Sequence, residues 1–241
     1  MAPRQHDDVH PEGGEPEGVA DADEAAYRAE VERELARLDV SAPDEAQRAG
    51  AAPRSYAWLL VVAGVLGTLA AAMLTIDYVN TLLDPTYVPT CDVNPLIGCG
   101  QFLGSPQARV FGFPNVVIGL VAFPVLVTTG LAFLAGARLA RWYWWGLLAG
   151  CLAGAVFITW LQVQSLNVIK GLCPYCLVVW AVVIPVVVQT FARAIQGGAL
   201  PAPEGVRRFV VPNRWLLTGL WYAVVLVAVI LAFRDQWAVV F

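Results

Sequence analysis

Gly171-Leu172-Cys173-Pro174-Tyr175-Cys176-Leu177-Val178-Val179-Trp180-Ala181-Val182-Val183-Ile184 sets a Cys-x-x-Cys where a polar loop turns into an apolar run. Two thiols three residues apart at the start of a helix share one face, so they can cycle between dithiol and disulfide with little backbone movement. The run continues to Ala192 without Asp, Glu, Lys or Arg, which matches the ~20 helical residues that a hydrocarbon core requires. A membrane helix that opens on a redox-competent motif is therefore expected.

The remainder of the chain has the same character. With 58% hydrophobic and 14% charged residues over 241 positions, it is too apolar for a surface that must face water. Uncharged apolar segments run approximately from Tyr56 to Ile76, Val110 to Leu134, Trp142 to Gln164, Cys173 to Ala192 and Trp215 to Phe233. One charge at a bilayer centre costs roughly 2.5 to 3.5 kcal/mol, so uncharged cores repeated in this way predict an all-α integral membrane protein with five spans. Pro124 and Pro185 fall inside the second and fourth spans, where neighbouring helices can satisfy the freed carbonyls.

Residues 1–53 are read as a separate cytoplasmic tail, acidic and largely disordered, because a Pro-, Gly-, Glu- and Ala-rich segment buries too little apolar surface to offset its ordering entropy. Most of the acidic residues lie in it, and the net charge of −4 gives no sign of nucleic acid as a partner. Asp23 to Leu38 carries a narrow stripe of Tyr27, Val31, Leu35 and Leu38 at helical spacing, so one short solvated helix is expected there. No basic segment followed by an apolar core and a cleavage site precedes Arg54, and a signal peptide is not expected.

Arginines set the orientation. Arg54, then Arg138 and Arg141, then Arg193, Arg207, Arg208 and Arg214 fall on one side of an alternating five-span chain, and an excess of short-loop Arg marks the cytoplasmic side. The opposite loops, 77–109 and 165–172, should face an oxidising extracytoplasmic compartment. Cys91, Cys99, Cys173 and Cys176 all land there. Cys151 sits mid-span beside glycines and is assigned to packing. Asn94-Pro95 reads as a cap and first helical residue of a short helix through Cys99 to about Leu103, which would lie across the outer face. Ser105-Pro106 repeats the signal and is expected to start span two. Cys173 at a helix N-terminus, with Lys170 close behind, should carry a lowered thiol pKa.

Inert disulfides and a metal site are the other readings of four outer cysteines. The seven residues between Cys91 and Cys99 exceed the usual zinc spacing, and the histidines, His6 and His10, are both in the tail. A non-enzymatic metal-binding or structural membrane protein is therefore the alternative to a redox relay.

The ordered set Cys91, Cys99, Gly104-Ser105, Phe111-Gly112-Phe113-Pro114 and Cys173-Pro174-Tyr175-Cys176 resembles the vitamin K epoxide reductase family in its bacterial branch, over about residues 56–192. The resemblance implies a four-helix bundle around a quinone (menaquinone or ubiquinone), capped on its outer face by the loop and its short helix, with a fifth transmembrane helix beyond it. It implies that Cys173 and Cys176 are the active-site pair, that Cys91 and Cys99 are the shuttle pair, and that Ser105, Phe111 and Trp180 lie near the quinone. Trp180 stands where vertebrate relatives have a tyrosine. The implied activity is disulfide generation at a bacterial plasma membrane, with electrons passing from an extracytoplasmic thioredoxin-like oxidoreductase through the cysteines to the membrane quinone pool. Many bacterial relatives carry a fused thioredoxin-like domain after span five; this chain ends at Phe241, so the partner is expected to be a separate protein. Another four-cysteine membrane family with the same chemistry has its Cys-x-x-Cys before the loop pair, the reverse of the order here.

Overall fold

The computed structural model describes residues 17–94 and 96–234. The described chain divides between Ala42 and Pro43 into two compact units. The first is helix α1 (Glu17–Leu38) with the turn that follows it. It starts six residues before the expected Asp23, and an Arg28–Glu24 ion pair one turn apart (2.6 Å) supports its exposed face. Tyr27, Val31 and Leu35 are all exposed, in keeping with a stripe too narrow to demand a partner. The side chain of Leu38 lies outside the described residues.

The second unit begins at Pro43 rather than Arg54, so residues 43–53 go with the membrane helices. Asp44 and Gln47 form a capping box for the one-turn helix α2 (Glu45–Arg48). The Gly50 carbonyl then accepts hydrogen bonds from Leu139 N (3.0 Å) and Trp144 Nε1 (3.3 Å), which ties this segment to the start of span three.

Helices α3 (Arg54–Leu83), α5 (Val116–Leu134), α6 (Arg141–Gln164), α7 (Pro174–Gln196) and α9 (Arg214–Ala232) are each long and apolar enough to span a bilayer. Between them lie α4 (Gly100–Leu103) and α8 (Glu204–Val210), both short. Trp58, Leu69, Val121, Val156, Leu216 and Leu220 are exposed on the long helices; apolar side chains spread so widely over the outer faces belong against lipid. The inner faces bury Tyr56, Leu60, Phe123, Phe133, Trp144 and Val186 in one cluster.

Lipid supplies no hydrophobic drive between helices, so close contact and interhelical hydrogen bonds must hold them. α3 packs chiefly on α5, and α7 on both α3 and α6. A Cβ at Gly64 would stand 2.8 Å from the Phe123 carbonyl, and one at Gly130 would stand 2.7 Å from the Ala57 carbonyl; only glycine allows this approach. Tyr56 and Thr190 hydroxyls meet at 2.8 Å between α3 and α7, Tyr143 bonds Thr129 between α6 and α5, and Tyr222 donates from α9 to the Ala181 carbonyl of α7. Such bonds average about 0.6 kcal/mol each in a membrane.

Several expected boundaries shift. The first span extends seven residues beyond Ile76, and at 1.5 Å per residue the 30 residues of α3 measure about 45 Å, which carries Asp77 onto a helix and out of the outer loop. The second span starts at Val116, not Val110. Ser105-Pro106 opens a 3-10 turn (Pro106–Arg109) instead, and Gly112, at φ +82°, turns the chain before Pro114. The third span runs on into a π turn (Ser165–Ile169) that ends on Lys170 at φ +54°.

Candidate functional site

Two segments meet at the end of the bundle where α3 finishes and α7 begins. Ile97 and Leu172 form an isolated parallel bridge, closed by Leu172 N to the Leu96 carbonyl (2.8 Å) and Gly98 N to the Leu172 carbonyl (3.0 Å). Cys99 lies two residues beyond one side of this bridge and Cys173 one residue beyond the other. The bridge therefore brings the two cysteine pairs together.

The loop around Cys99 does not form the helix expected from Asn94. Asn94 Oδ1 accepts from Leu96 N (2.9 Å) and Ile97 N (2.8 Å), a local turn that competes with helix, and Ile97 is then taken by the bridge. Pro95 lies outside the described residues. Helix α4 starts only at Gly100, and its first amides are capped from upstream: Asp92 Oδ1 accepts from Cys99 N (2.5 Å) and Gly100 N (2.9 Å). Gly98 and Gly100 leave room for this carboxylate, since a Cβ on either would stand 2.6 or 2.7 Å from an Asp92 oxygen.

Cys91 and Cys99 form a disulfide, while Cys173 and Cys176 are free thiols. Cys173 Sγ stands 3.0 Å from Cys99 Sγ. Cys91, Cys99 and Cys173 are all buried in one cluster with Leu74, Tyr78 and Leu103. Cys173 is the N-cap residue of α7, with Pro174 at the first helical position and Cys176 in the first turn. Its thiol is held below the ordinary range, first by the hydrogen bond from the Cys176 thiol, which outweighs burial, and then by the backbone amides of Cys176 and Tyr175; Asp92 works in the opposite direction. Lys170, expected to contribute, is not among the groups acting on Cys173. Its side chain is exposed and its backbone closes the π turn.

On the other side of the disulfide, Asp77 of α3 is fully buried. It accepts from Tyr87 Oη (2.8 Å), Thr90 N (3.3 Å) and Thr90 Oγ1 (2.9 Å), and Thr90 Oγ1 also meets Tyr175 Oη at 3.0 Å. Cys91 Sγ lies 3.7 Å from Asp77 Oδ2. The loop is thus pinned to both α3 and α7.

Beneath the sulfurs lies a cavity of about 560 Å³ bounded mainly by α5, α6 and α7, reached by Cys176, Trp180 and Ser105. Ser105 spends its hydroxyl proton on the Phe102 carbonyl (2.7 Å), which leaves the oxygen to accept. Phe111, expected at the cofactor, is not part of the wall: the turn at Gly112 places its ring outside, against Phe113 (6.2 Å) and Phe157 (5.6 Å), and Phe157 lines the cavity in its stead. Cys151 also reaches the wall and bonds Thr190 Oγ1 at 3.7 Å.

The lining suits a quinone. It is overwhelmingly apolar, with most of its polar groups toward the Ser105 end, and Asn115, whose amide donates to the Gln107 carbonyl (2.6 Å), brings a buried, unpartnered Oδ1 that can accept from the hydroxyl of the reduced quinol. An apolar pocket with a few convergent polar groups is the usual form of a small-molecule site. Sequence reasoning missed Asp77, Asp92 and Asn115. A carboxylate at the end of an uncharged span and an aspartate adjoining Cys91 were the available signals for the first two; Asn115 followed Pro114 with no pattern to mark it.

No curated protein gives a significant match to the chain. The model of the vitamin K epoxide reductase family matches residues 58–191, more than half of the sequence, spanning both cysteine pairs and the cavity helices. Helical spans, clustered cysteines and this match agree, and the chain belongs to the vitamin K epoxide reductase family, whose members carry out thiol–disulfide oxidoreduction with a quinone in the membrane.

Proposed function

We propose that this protein generates disulfides for exported proteins, reoxidising an extracytoplasmic thioredoxin-like oxidoreductase and delivering the electrons to the quinone pool of a bacterial plasma membrane. The observation that carries this reading is the 3.0 Å approach of Cys173 Sγ to Cys99 Sγ while Cys99 is bonded to Cys91. Thiol–disulfide exchange needs an attacking sulfur beside the one it attacks, and the pairs meet that need without rearrangement.

The cycle assigns each cysteine a step. A partner thiolate attacks Cys91, and Cys99 leaves as a thiolate. Cys99 attacks Cys173 of a Cys173–Cys176 disulfide and frees Cys176. The partner's second thiol releases Cys91, which attacks Cys99 and displaces Cys173, whose depressed thiol pKa makes it a good leaving group. The arrangement described above, with Cys91–Cys99 closed and both Cys173 and Cys176 reduced, corresponds to the end of this step. Quinone, when bound, supplies the two-electron, two-proton acceptor that restores the Cys173–Cys176 disulfide. Cys176 and Trp180 would face it from α7, with Ser105 and Asn115 at the outer end of the pocket. The protein supplies position, dryness and electrostatics.

The deciding assay is thiol-dependent quinone reduction by purified protein given a reduced thioredoxin-like substrate. Turnover that disappears in Cys173→Ala supports the reading. A folded protein that reduces no quinone with any dithiol rejects it.

A further inference from the structure

Asp77 has no role in the cycle as written, yet it is a fully buried carboxylate at the outer end of a membrane helix. Ionisable groups in such places are expensive and are retained for function. Its hydrogen bonds divide by oxygen. Tyr87 Oη and Thr90 N go to Oδ1, while Oδ2 takes Thr90 Oγ1 at 2.9 Å and stands 3.7 Å from Cys91 Sγ. When the partner's second thiol releases Cys91, the proton of that thiol passes to the departing Cys91 sulfur, and Oδ2 lies within reach of it.

We propose that Asp77 is the proton acceptor that lets Cys91 close the relay. The proposal rests on the cycle above and adds the group that activates its last nucleophile. The Cys91 S–H bond breaks and an O–H bond forms on Asp77; the Cys91 sulfur bonds to Cys99; the Cys99–Cys173 bond breaks, and its electron pair departs on Cys173. No external oxidant enters this step. A buried thiol beside apolar neighbours does not ionise readily, so without a local base Cys91 would be a slow nucleophile. A carboxylate close to Cys91 also disfavours a free Cys91 thiolate, which directs the partner's attack so that Cys99 leaves and Cys91 does not.

The surroundings contain little else that could serve. Tyr87 and Cys91 face Asp77 from the loop, and Tyr175 reaches it from α7 through Thr90. On α3 itself Tyr78 is engaged by Arg109, whose guanidinium sits 5.3 Å from the ring centre. α5, packed along α3, has no ionisable side chain. Of these groups, Asp77 is the carboxylate with an oxygen within hydrogen-bond distance of Cys91 Sγ, whereas Asp92, next to Cys91 in the chain, is turned to the amides of Cys99 and Gly100.

The test is a single turnover. Full-length protein carrying both disulfides is mixed with one equivalent of dithiothreitol, quenched in acid at set times and mapped by mass spectrometry for the Cys99–Cys173 bridge. With Asp77→Asn the bridge should persist, decaying on the order of 10²-fold more slowly at neutral pH, and the rate should recover as pH rises into the thiol range. Thr90→Val loosens the loop but leaves the carboxylate, so its pH profile should stay with the wild type. An Asp77→Asn profile like that of the wild type, or a Thr90→Val profile like that of Asp77→Asn, overturns the proposal. Should Asp77→Asn not fold, Asp77→Glu carries the test: it keeps a base and must keep activity at neutral pH, and an alkaline-shifted profile rejects Asp77 as the acceptor. Cys91→Ser separates the two readings. If it forms the Cys99–Cys173 bridge and Asp77→Asn behaves as wild type, only the role of Asp77 falls; if neither it nor the wild type forms the bridge, the relay falls and the proposal with it.

Discussion

Leu172 and Ile97 pair in parallel, and this single bridge, two residues before Cys99 and one before Cys173, sets the distance between the loop pair and the helix pair. Asp92 keeps the loop side in shape by capping Cys99 and Gly100. Gly98→Ala would drive a Cβ to within 2.6 Å of Asp92 Oδ1 and displace that cap, at a cost of about 1 to 2 kcal/mol. Thermal unfolding in detergent should show the loss of stability, and the rate of Cys99–Cys173 exchange should fall with it. Unchanged exchange in a destabilised variant would show that the clasp serves stability alone.

The pairing makes Cys99 the partner of Cys173. In Cys176→Ala, any bridge that Cys173 forms should therefore go to Cys99. In Cys99→Ala, Cys91 is a lone thiol: a single-cysteine partner supplied as a mixed disulfide with thionitrobenzoate should be captured on it with release of thionitrobenzoate, and with no second partner thiol to free Cys91 the bridge should stay. Mass spectrometry of alkylated, unreduced protein distinguishes these species. A Cys91–Cys173 bridge would reverse the shuttle assignment.

Cys173 should react as a thiolate below the pH at which ordinary thiols do. Because the hydrogen bond from Cys176 favours the charged form, the folded-state pKa lies below the unfolded one. In the folded protein the thiolate, and with it the reactivity, is present above that depressed value and is lost as pH falls through it. Alkylation of Cys173 by a small reagent, followed against pH, should titrate on the acidic side of a free thiol, and Cys176→Ala should move the curve back to alkaline pH. A curve unmoved by that substitution would assign the shift to the backbone amides instead.

Cys151 reaches the cavity but touches no other thiol of the relay. Cys151→Ala should retain most turnover and lose on the order of 1 kcal/mol of stability. A large rise in the quinone KM with turnover otherwise intact would identify it as part of the binding wall. Loss of electron transfer in the folded variant would make it a member of the relay.

The arginine distribution predicts the orientation. An impermeant thiol reagent applied to intact, reduced cells should label Cys91, Cys99, Cys173 and Cys176 and leave Cys151 unlabelled. Labelling that requires broken membranes would invert the topology.

The spans were legible because an uncharged apolar run of membrane length has few other uses, and the four cysteines because their order and spacing are specific. The loop was not. Asn94-Pro95 carries the local signal of a helix start, but the Ile97–Leu172 bridge is a contact across 75 residues, and it claims the backbone that the helix would have used. Phe111 was misplaced for a related reason: its motif fixes a position in the chain, whereas Gly112 fixes which way the ring turns. Asp77 was read as a loop charge because hydropathy ends a span at the first carboxylate, while the helix continues wherever its hydrogen bonds and the donors of Tyr87 and Thr90 allow.

Glycine contacts between α3 and α5 determine what is free to move. With the Phe123 carbonyl against Gly64 and the Ala57 carbonyl against Gly130, those helices have no room to slide, and Asp77 pins the loop to that same wall. With Cys173 Sγ 3.0 Å from Cys99 Sγ, exchange between the pairs asks only a short movement of the Cys99 side chain. Rotamer hops are far faster than the microsecond-to-millisecond motions of whole helices. The fluidity of the surrounding lipid therefore has little hold on electron delivery, and a stiffer bilayer should slow the arrival of quinone while leaving sulfur exchange at its own pace.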